Sequence, residues 1–461
     1  WDEAVKISGP DPDFHRRDLW EAIDAGAYPE WELGVQIFTQ DQADGFSFDI
    51  LDATKIIPEE LVPVQIVGRL VLNRNPDNFF AETEQVAFCA AHIIPGIDFT
   101  NDPLLAGRIH SYVDTQISRL GGPNFHEIPI NAPVAQVHNN QRDGMHRQAI
   151  ARGRVAYEPN SLGGGCPFQA GAAQGFTSVK ARLDAQEGSD KVRIKPEKFA
   201  EHYAQARLFY ESQTPVEQAH IAAAFRFELS KVTVPAVRRR MVAGLRNASE
   251  QLAQQVADGL GMELPDPLPV AMASPPTPEV LHSPALSLSA RPGDGGIRTR
   301  KVAVLVADGL EGDGVSATIR TLVEHGGVAR LVGMRLGTCV AAGGEQLEAD
   351  ATLENTPAFL FVALVLPDRV PAVEALAADA HTMDFIKDMY RHCKPILAFG
   401  ASRSLLTQAG IPQTLPDGSP DAGLIQADSA DAAGKGTAMA DFIAALGRHR
   451  TYARETDPPV I

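Results

Sequence analysis

The sequence predicts a multidomain chain: a loop-rich front part, a run of helices, a linker and a separate α/β domain with a parallel sheet. Three observations carry that reading. At 461 residues the chain exceeds what one hydrophobic core ordinarily organises. Near residue 196 short apolar runs give way to a 3.6-residue repeat, the period of amphipathic helices. Beyond residue 300, strand-like runs alternate with helix-like ones, the pattern of a parallel sheet covered on both faces.

Taken in order, residues 1 to about 165 are broken by Gly, Pro, Asn and Asp. "PVQIVGRLVLNR" (63–74) alternates like a strand and ends in the turn-former "NPDN". "IDFTNDPLLAGRIHSYVDTQISRLGG" has helix punctuation: Asn101 or Asp102 as cap, Pro103 at the first helical position, and Gly121-Gly122 at the end. "PEKFAEHYAQARLFYES", "TPVEQAHIAAAFRFELSKV" and "VPAVRRRMVAGLRNASEQLAQQVADGLG" read as three amphipathic helices. Thr214-Pro215-Val216-Glu217 opens the second as a capping box. Residues 263–299, rich in Pro, Ser and Ala without period, read as a linker. After it come "RKVAVLVADGLEGDGVSATIRTLVEHGGVARLVGMRLG" (strand, loop, helix, strand) and two buried-type strands, "AFLFVALVLP" and "KPILAF", the last turning directly into a helix.

The formal charge of -17 is spread along the whole length, which argues against a nucleic-acid surface. No apolar run reaches the roughly 20 residues of a membrane span. No secretory leader pattern is present, and Trp1 opens what reads as running sequence, so a natural start further upstream is expected. Cys89, Cys166, Cys339 and Cys393 lie far apart without zinc-type spacing. They fit a reducing compartment, and a cytoplasmic location is expected.

Along the helix 103–120, Leu105, Ile109, Val113, Ile117 and Leu120 form one apolar stripe expected to face a core. Beside it, Arg108, Tyr112, Thr115 and Arg119 fall within about 60° of one another, with Tyr112 and Arg119 about 10 Å apart along the axis. Two readings stand on spacing alone. Either the arginines face solvent and Tyr112 is a boundary residue, or Arg108 sits beside the Tyr112 hydroxyl and favours its phenolate. A phenol of ordinary pKa about 10 needs a shift of more than ~3 units to ionise at neutral pH, so a metal would have to share that work. Tyrosinate is a known axial haem ligand.

"RIHSYVDTQ" resembles the proximal haem-ligand signature of haem catalases. "DATKIIPEELVPVQIVGRLVLNRNPDNFFAETEQVAF", "HIIPGIDFTNDPLLAGR", "RLGGPNFHEIPIN", "NNQRDG", "YEPNSLGG" and "HYAQARLFYESQTPVEQAHI" look like that family throughout. The resemblance covers about residues 1–260. It implies an α+β catalase fold with an antiparallel β-barrel part, a wrapping loop and an α-helical part, incomplete at its N-terminal side. His110 departs from the family pattern, which has Phe there; it is read as a substitution at the haem periphery or in packing, not as a ligand.

Carried over residue by residue, the resemblance makes Tyr112 the iron ligand, with Arg108 holding it as phenolate and Arg119 pairing with a haem propionate. Asp102 corresponds to an aspartate in the network behind Arg108, and Gln116 lies near the propionates. Cys89 stands 23 residues before Tyr112, where some large-subunit catalases have a Cys or His joined covalently to that tyrosine. A Cys89–Tyr112 thioether and an ordinary small buried thiol both remain open. His92 and His126 read as structural, and Cys166 as part of a Gly-rich loop.

The linker and last domain resemble the large-subunit branch of catalases, whose C-terminal part is similar to flavodoxin-like, class I glutamine amidotransferase-like domains. There a cysteine occupies a strand-to-helix elbow. Here the elbow is "AFGASRS", with Gly400 or Ala401 in its place, and neither Cys339 nor Cys393 substitutes. Hydrolysis is not expected, and "ADGLEGDG" does not follow dinucleotide-site spacing. The expected divisions are a catalase core at 1–195, a helical domain at 196–262, the linker at 263–299 and the amidotransferase-like domain at 300–461.

The resemblance therefore implies haem, b or d type, hydrogen peroxide as substrate and a homotetramer. The family's distal His and Asn lie upstream of where this chain begins, and His15, Asn139 and Asn140 are not assigned that role. With 461 residues alone, little catalase activity is expected; as part of a longer chain, the parent is a large-subunit catalase. The alternative is a non-catalytic haem-binding or chaperone-like stress protein.

Overall fold

The computed structural model describes residues 1–94, 96–134, 142–154, 162, 195–291, 293–429 and 437–461. Asn139, Asn140, Cys166 and nearly all of "YEPNSLGG" lie outside the described residues. The chain divides into two units, one of residues 1–47, 56–73 and 200–461 and one of 48–55 and 74–199.

Within the first unit, the α/β domain is built on a six-stranded parallel sheet. Its strands are β3 (Lys301–Val306), β4 (Val328–Gly333), β7 (Ala351–Thr352), β8 (Ala363–Leu366), β9 (Ile396–Phe399) and β10 (Leu424–Ala427), in the spatial order β10-β9-β8-β3-β4-β7. The chain thus winds outward from β3 in one direction and from β8 in the other. Val302 to Val306 are fully buried, as a central parallel strand requires when both faces are covered. Each such aliphatic side chain contributes about 1.5–3 kcal/mol on burial. The anticipated third strand starts later than its apolar run, because Pro357 leads a single 3₁₀ turn at Ala358–Leu360 before β8. A hairpin of β5 (Gly337–Val340) and β6 (Gln346–Ala349), unforeseen in the sequence, follows β4. The helices are α9 (Gly312–Glu324), α10 (Val370–Ala377), α11 (Ala380–Arg391), α12 (Arg403–Gln408) and α13 (Thr437–Arg448).

The three expected helices resolve into four: α5 (Ala204–Glu211), α6 (Pro215–Ser230), α7 (Pro235–Leu245) and α8 (Glu250–Gly259). Glu201 delays the first, its carboxylate accepting from the Tyr203 and Ala204 amides. Ser249 breaks the third, its side chain accepting from the Leu252 amide as a fresh N-cap. Both arms of the Thr214/Glu217 capping box are made. Tyr210, Ala222, Leu229, Val242, Leu252, Ala253 and Val256 pack as a shared core.

The described residues of 263–299 carry no helix or strand beyond single 3₁₀ turns and are fastened at several points. The Ser283 amide donates to Ser212 Oγ at 2.8 Å, Ser287 Oγ to Glu217 Oε2 at 2.8 Å, and the Ser47 hydroxyl to Glu279 at 2.7 Å. At the front, α1 (Asp2–Ser8), α2 (Phe14–Asp24) and α3 (Gln40–Gly45) accompany an antiparallel pair, β1 (Glu30–Val35) and β2 (Gln65–Val71). Of the expected antiparallel barrel part, this pair is what the described residues of the chain contain. Trp31, Leu33 and Leu70 lie exposed on it.

The second unit is organised around one long helix, α4 (Pro103–Leu120), with 3₁₀ and π turns nearby. No described helix is long and apolar enough to cross a membrane.

Candidate functional site

Helix α4 begins and ends as its sequence dictates. The Asp102 carboxylate accepts from the Leu104 amide at 2.9 Å, Pro103 occupies the first turn, and Gly121 closes the helix at φ 83°, the left-handed conformation glycine adopts without strain. Its packing differs from expectation. Gln116 is the buried residue of α4, whereas Leu105, Ile109, Val113 and Leu120 are only partly covered and Ile117 is 44% exposed. The apolar stripe therefore does not face a core among the described residues of this unit. The reason is chemical: the close approach is made through polar side chains that bond backbone carbonyls.

Gln116 Nε2 donates to the Phe88 carbonyl at 3.2 Å. Arg119 donates to the carbonyls of Glu84 at 2.6 Å and Val86 at 2.7 Å, and to Gln116 Oε1 at 2.8 Å. Asn131 continues the brace, accepting from the Ala87 amide and donating to the Gln85 and Phe125 carbonyls. Residues 84–88 are thereby held along the last two turns of α4, and Cys89, a free and partly buried thiol, follows directly. His92 stacks on Phe125 at 5.9 Å, consistent with a structural role.

One turn earlier, Arg108 Nη2 donates to the Tyr112 hydroxyl oxygen at 3.3 Å, and its guanidinium carbon lies 5.8 Å from the ring centroid. Tyr112 is half-buried and Arg108 exposed. The phenol oxygen accepts from a cation, and among the described residues no acceptor pairs with its proton. Such an oxygen is set up as a donor atom to a metal. That donor chemistry fits a haem iron, and the exposed Leu104 on the same side of the helix adds an apolar surface. The structure thus brings Arg108 to Tyr112 and Gln116 to Arg119. It places Asp102 at the helix cap, and His110 exposed on the same helix. Among the described residues no cluster of His, Cys, Asp and Glu could hold a metal ion.

Three catalase models match the chain in succession: Catalase over residues 1–164, Catalase-related immune-responsive over 196–260, and the C-terminal domain found in long catalases over 298–456. The chain belongs to the catalase family, in its long, large-subunit branch. Catalase HPII of Pseudomonas putida is 47% identical over 99% of this chain and 61% of its own length. Catalase HPII of Mycobacterium avium is 46% identical over 99% and 64%, and Catalase-B of Dictyostelium discoideum 41% over 99% and 64%. The chain accordingly spans about three-fifths of the length of these catalases.

In the α/β domain of this catalase chain, Gly400 sits at the elbow after β9 with φ 46°, and Asp368 fills the space beside it. Asp368 Oδ1 accepts from the Ala401 amide at 3.0 Å and the Arg369 amide at 2.7 Å, and a Cβ on Gly400 would collide with its carboxylate. Burial pushes the Cys393 thiol up to about 12 and also raises Cys339. Neither is a thiolate nucleophile at neutral pH. Asp368 was not singled out from the sequence; the signal available was an acid directly after the buried run "ALVLP".

Proposed function

We propose that this chain forms the proximal side of the haem pocket of a catalase, which converts two hydrogen peroxide molecules to two water and one oxygen. The observation that carries the reading is Arg108 donating to the Tyr112 oxygen on a helix whose sequence resembles the family's ligand signature. Bound haem would supply the redox chemistry, taking two electrons from one peroxide and delivering two to the other. Tyr112 would ligate the iron through its phenol oxygen, and Arg108 would favour loss of the phenolic proton by stabilising the anion. Arg119 bonds Glu84, Val86 and Gln116 through three of its five N–H groups, and the two without a partner among the described residues would serve a propionate. Gln116 would hold Arg119 in place. Asp102 would act through the helix, fixing its first turn ahead of Arg108.

A Cys89–Tyr112 thioether belongs to the same reading. Its support is the anchoring of Phe88 to Gln116, one turn from Tyr112. An intact mass about 2 Da below the sequence mass would accompany it, one hydrogen peroxide taking up the thiol and C–H hydrogens as two waters form with the S–C bond; separate unmodified peptides for both residues would remove it. Haem b and haem d are both compatible with the residues named, and a pyridine haemochrome spectrum distinguishes them. We also propose a homotetramer, as the family resemblance implies, and a cytoplasmic protein, as the widely spaced cysteines suggest. The divisions 1–195, 196–262, 263–299 and 300–461 are kept. The C-terminal division is read as flavodoxin-like and amidotransferase-like, supported by the order 2-1-3-4-5 of its strands when the two-residue β7 is set aside.

The test is haem loading of the chain followed by its absorption spectrum, with Tyr112→Phe as control, and oxygen evolution in the presence of the distal half of the pocket. A tyrosinate-type spectrum lost in Tyr112→Phe supports the reading; a spectrum unchanged by that substitution overturns it.

A further inference from the structure

Outside the haem-side helix, a cluster of ionisable groups around the buried Lys394 lies where α1 meets the α/β domain, both in the first unit. Lys394, at the entry to β9, is fully buried. Its Nζ lies 2.6 Å from Glu3 Oε1 and donates to the Ala358 carbonyl at 3.1 Å. Glu3 also accepts from Arg450 Nη2 at 3.2 Å. Arg450 Nη1 and His392 Nε2 are buried without a hydrogen-bond partner, the latter 3.7 Å from Asp2 Oδ2. Lys6 bridges Asp2 at 3.1 Å and Asp388 at 3.0 Å. Around this point α1 contributes Asp2, Glu3 and Lys6; α11 contributes Asp388; the segment behind it His392 and Lys394. The end of α13 adds His449 and Arg450, and the approach to β3 adds Arg300, with Asp294 nearby.

We propose that α1 is a latch on the α/β domain, held by Glu3 as counter-ion of buried Lys394 and Arg450 and released by acid through His392, whose buried Nε2 faces Asp2 of that helix. A buried lysine whose one carboxylate partner comes from a separate helix makes seating of that helix a condition of its own solvation. Without Glu3, Lys394 keeps one neutral carbonyl, and Arg450 loses its acceptor.

The direction of the acid response follows from burial. Burial drives His392 down to about 4, with Glu3 opposing and the neighbouring cations reinforcing, whereas His449 is exposed. Burial likewise lowers Lys394 to about 8 against the pull of Glu3. For Glu3, burial works upward, but Lys394 and Arg450 outweigh it and hold the carboxyl below its usual value. The latched state therefore keeps His392 neutral where a hydrated imidazole would take a proton. Falling pH favours release from about 6.5 downward, with the effect complete near 4. Glu3 remains ionised over much of that window, so His392 governs the response.

Amide exchange of the whole chain tests this, read as protection of α1 against β3 as internal reference. At pH 7, Glu3→Gln is expected to reduce α1 protection at least tenfold with β3 unchanged, and Glu3→Gln with Lys394→Met to restore most of it. In the unsubstituted chain, α1 protection is expected to fall at least tenfold between pH 7 and pH 4.5 while β3 holds. His392→Gln should shift that fall to lower pH. Equal protection of α1 in Glu3→Gln and wild type, or loss of α1 and β3 together in acid, overturns the latch. An acid profile unchanged by removing His392 overturns its role as the trigger.

Discussion

The α/β domain and the haem-side helix bury themselves in opposite ways. In the domain, β3, β8 and β9 are covered on both faces, and their apolar residues share one core with the neighbouring strands and flanking helices. On α4 the one buried residue is a glutamine, and the apolar residues stay partly or wholly exposed. Its order comes from caps and from Gln116 and Arg119 bonding backbone carbonyls. The difference separates two uses of apolar sequence. One set makes a self-contained core; the other forms an exposed face, and contiguous exposed apolar surface on a protein marks a place for something to bind.

Substitutions can break that contrast, and the largest effects belong to the domain. Asp421 and Arg454 form a buried ion pair at 2.6 Å, each side chain 1% exposed. Asp421→Asn would strand the guanidinium and is expected to cost about 3–5 kcal/mol in urea unfolding. Leu364→Ala, in fully buried β8, is expected to cost about 2–5 kcal/mol. By contrast Ile117→Ala on α4, 44% exposed, should stay within about 1 kcal/mol by the same measurement. An equal cost for Leu364→Ala and Ile117→Ala would dissolve the comparison.

The helical segment sharpens it through one carboxylate. Burial alone would raise Glu217, but hydrogen bonds from Thr214, Ser287 and Ser289 overcome this and hold it at about 2. Its folded value lies below the unfolded 4.5. The stability it contributes is thus present above pH 4.5 and lost as pH falls through 2. Acid unfolding followed by circular dichroism should show Glu217→Gln less stable than wild type at pH 6, the gap closing toward pH 2. Thr214→Ala should cost about 1 kcal/mol at neutral pH, and Asp102→Ala a similar or smaller amount at the less buried α4.

Much of this was legible in the sequence. Asp102, Pro103 and Gly121 punctuate α4 because capping is local chemistry, settled within a few residues. The parallel sheet was legible because buried strands are written as continuous apolar runs. Two readings failed for non-local reasons. The α4 stripe has helical period, yet period states which side is apolar and not what covers it. The break at Ser249 depended on a side chain choosing the Leu252 amide over helix continuity. In the site, the Arg108–Tyr112 pair was visible as a spacing of four. The engagement of Arg119 with Glu84 and Val86 was not, since it joins backbone groups 33 and 35 residues away. Likewise nothing in "RHCKPILAF" shows that the counter-ion of Lys394 is Glu3.

The central claim is that the Tyr112 oxygen, with Arg108 beside it, is the ligand offered to haem iron. Its most direct measurement is resonance Raman spectroscopy of the haem-loaded chain, wild type against Tyr112→Phe. Tyrosinate modes present in wild type and absent in the variant are the predicted result. Haem bound in both with identical spectra would contradict it.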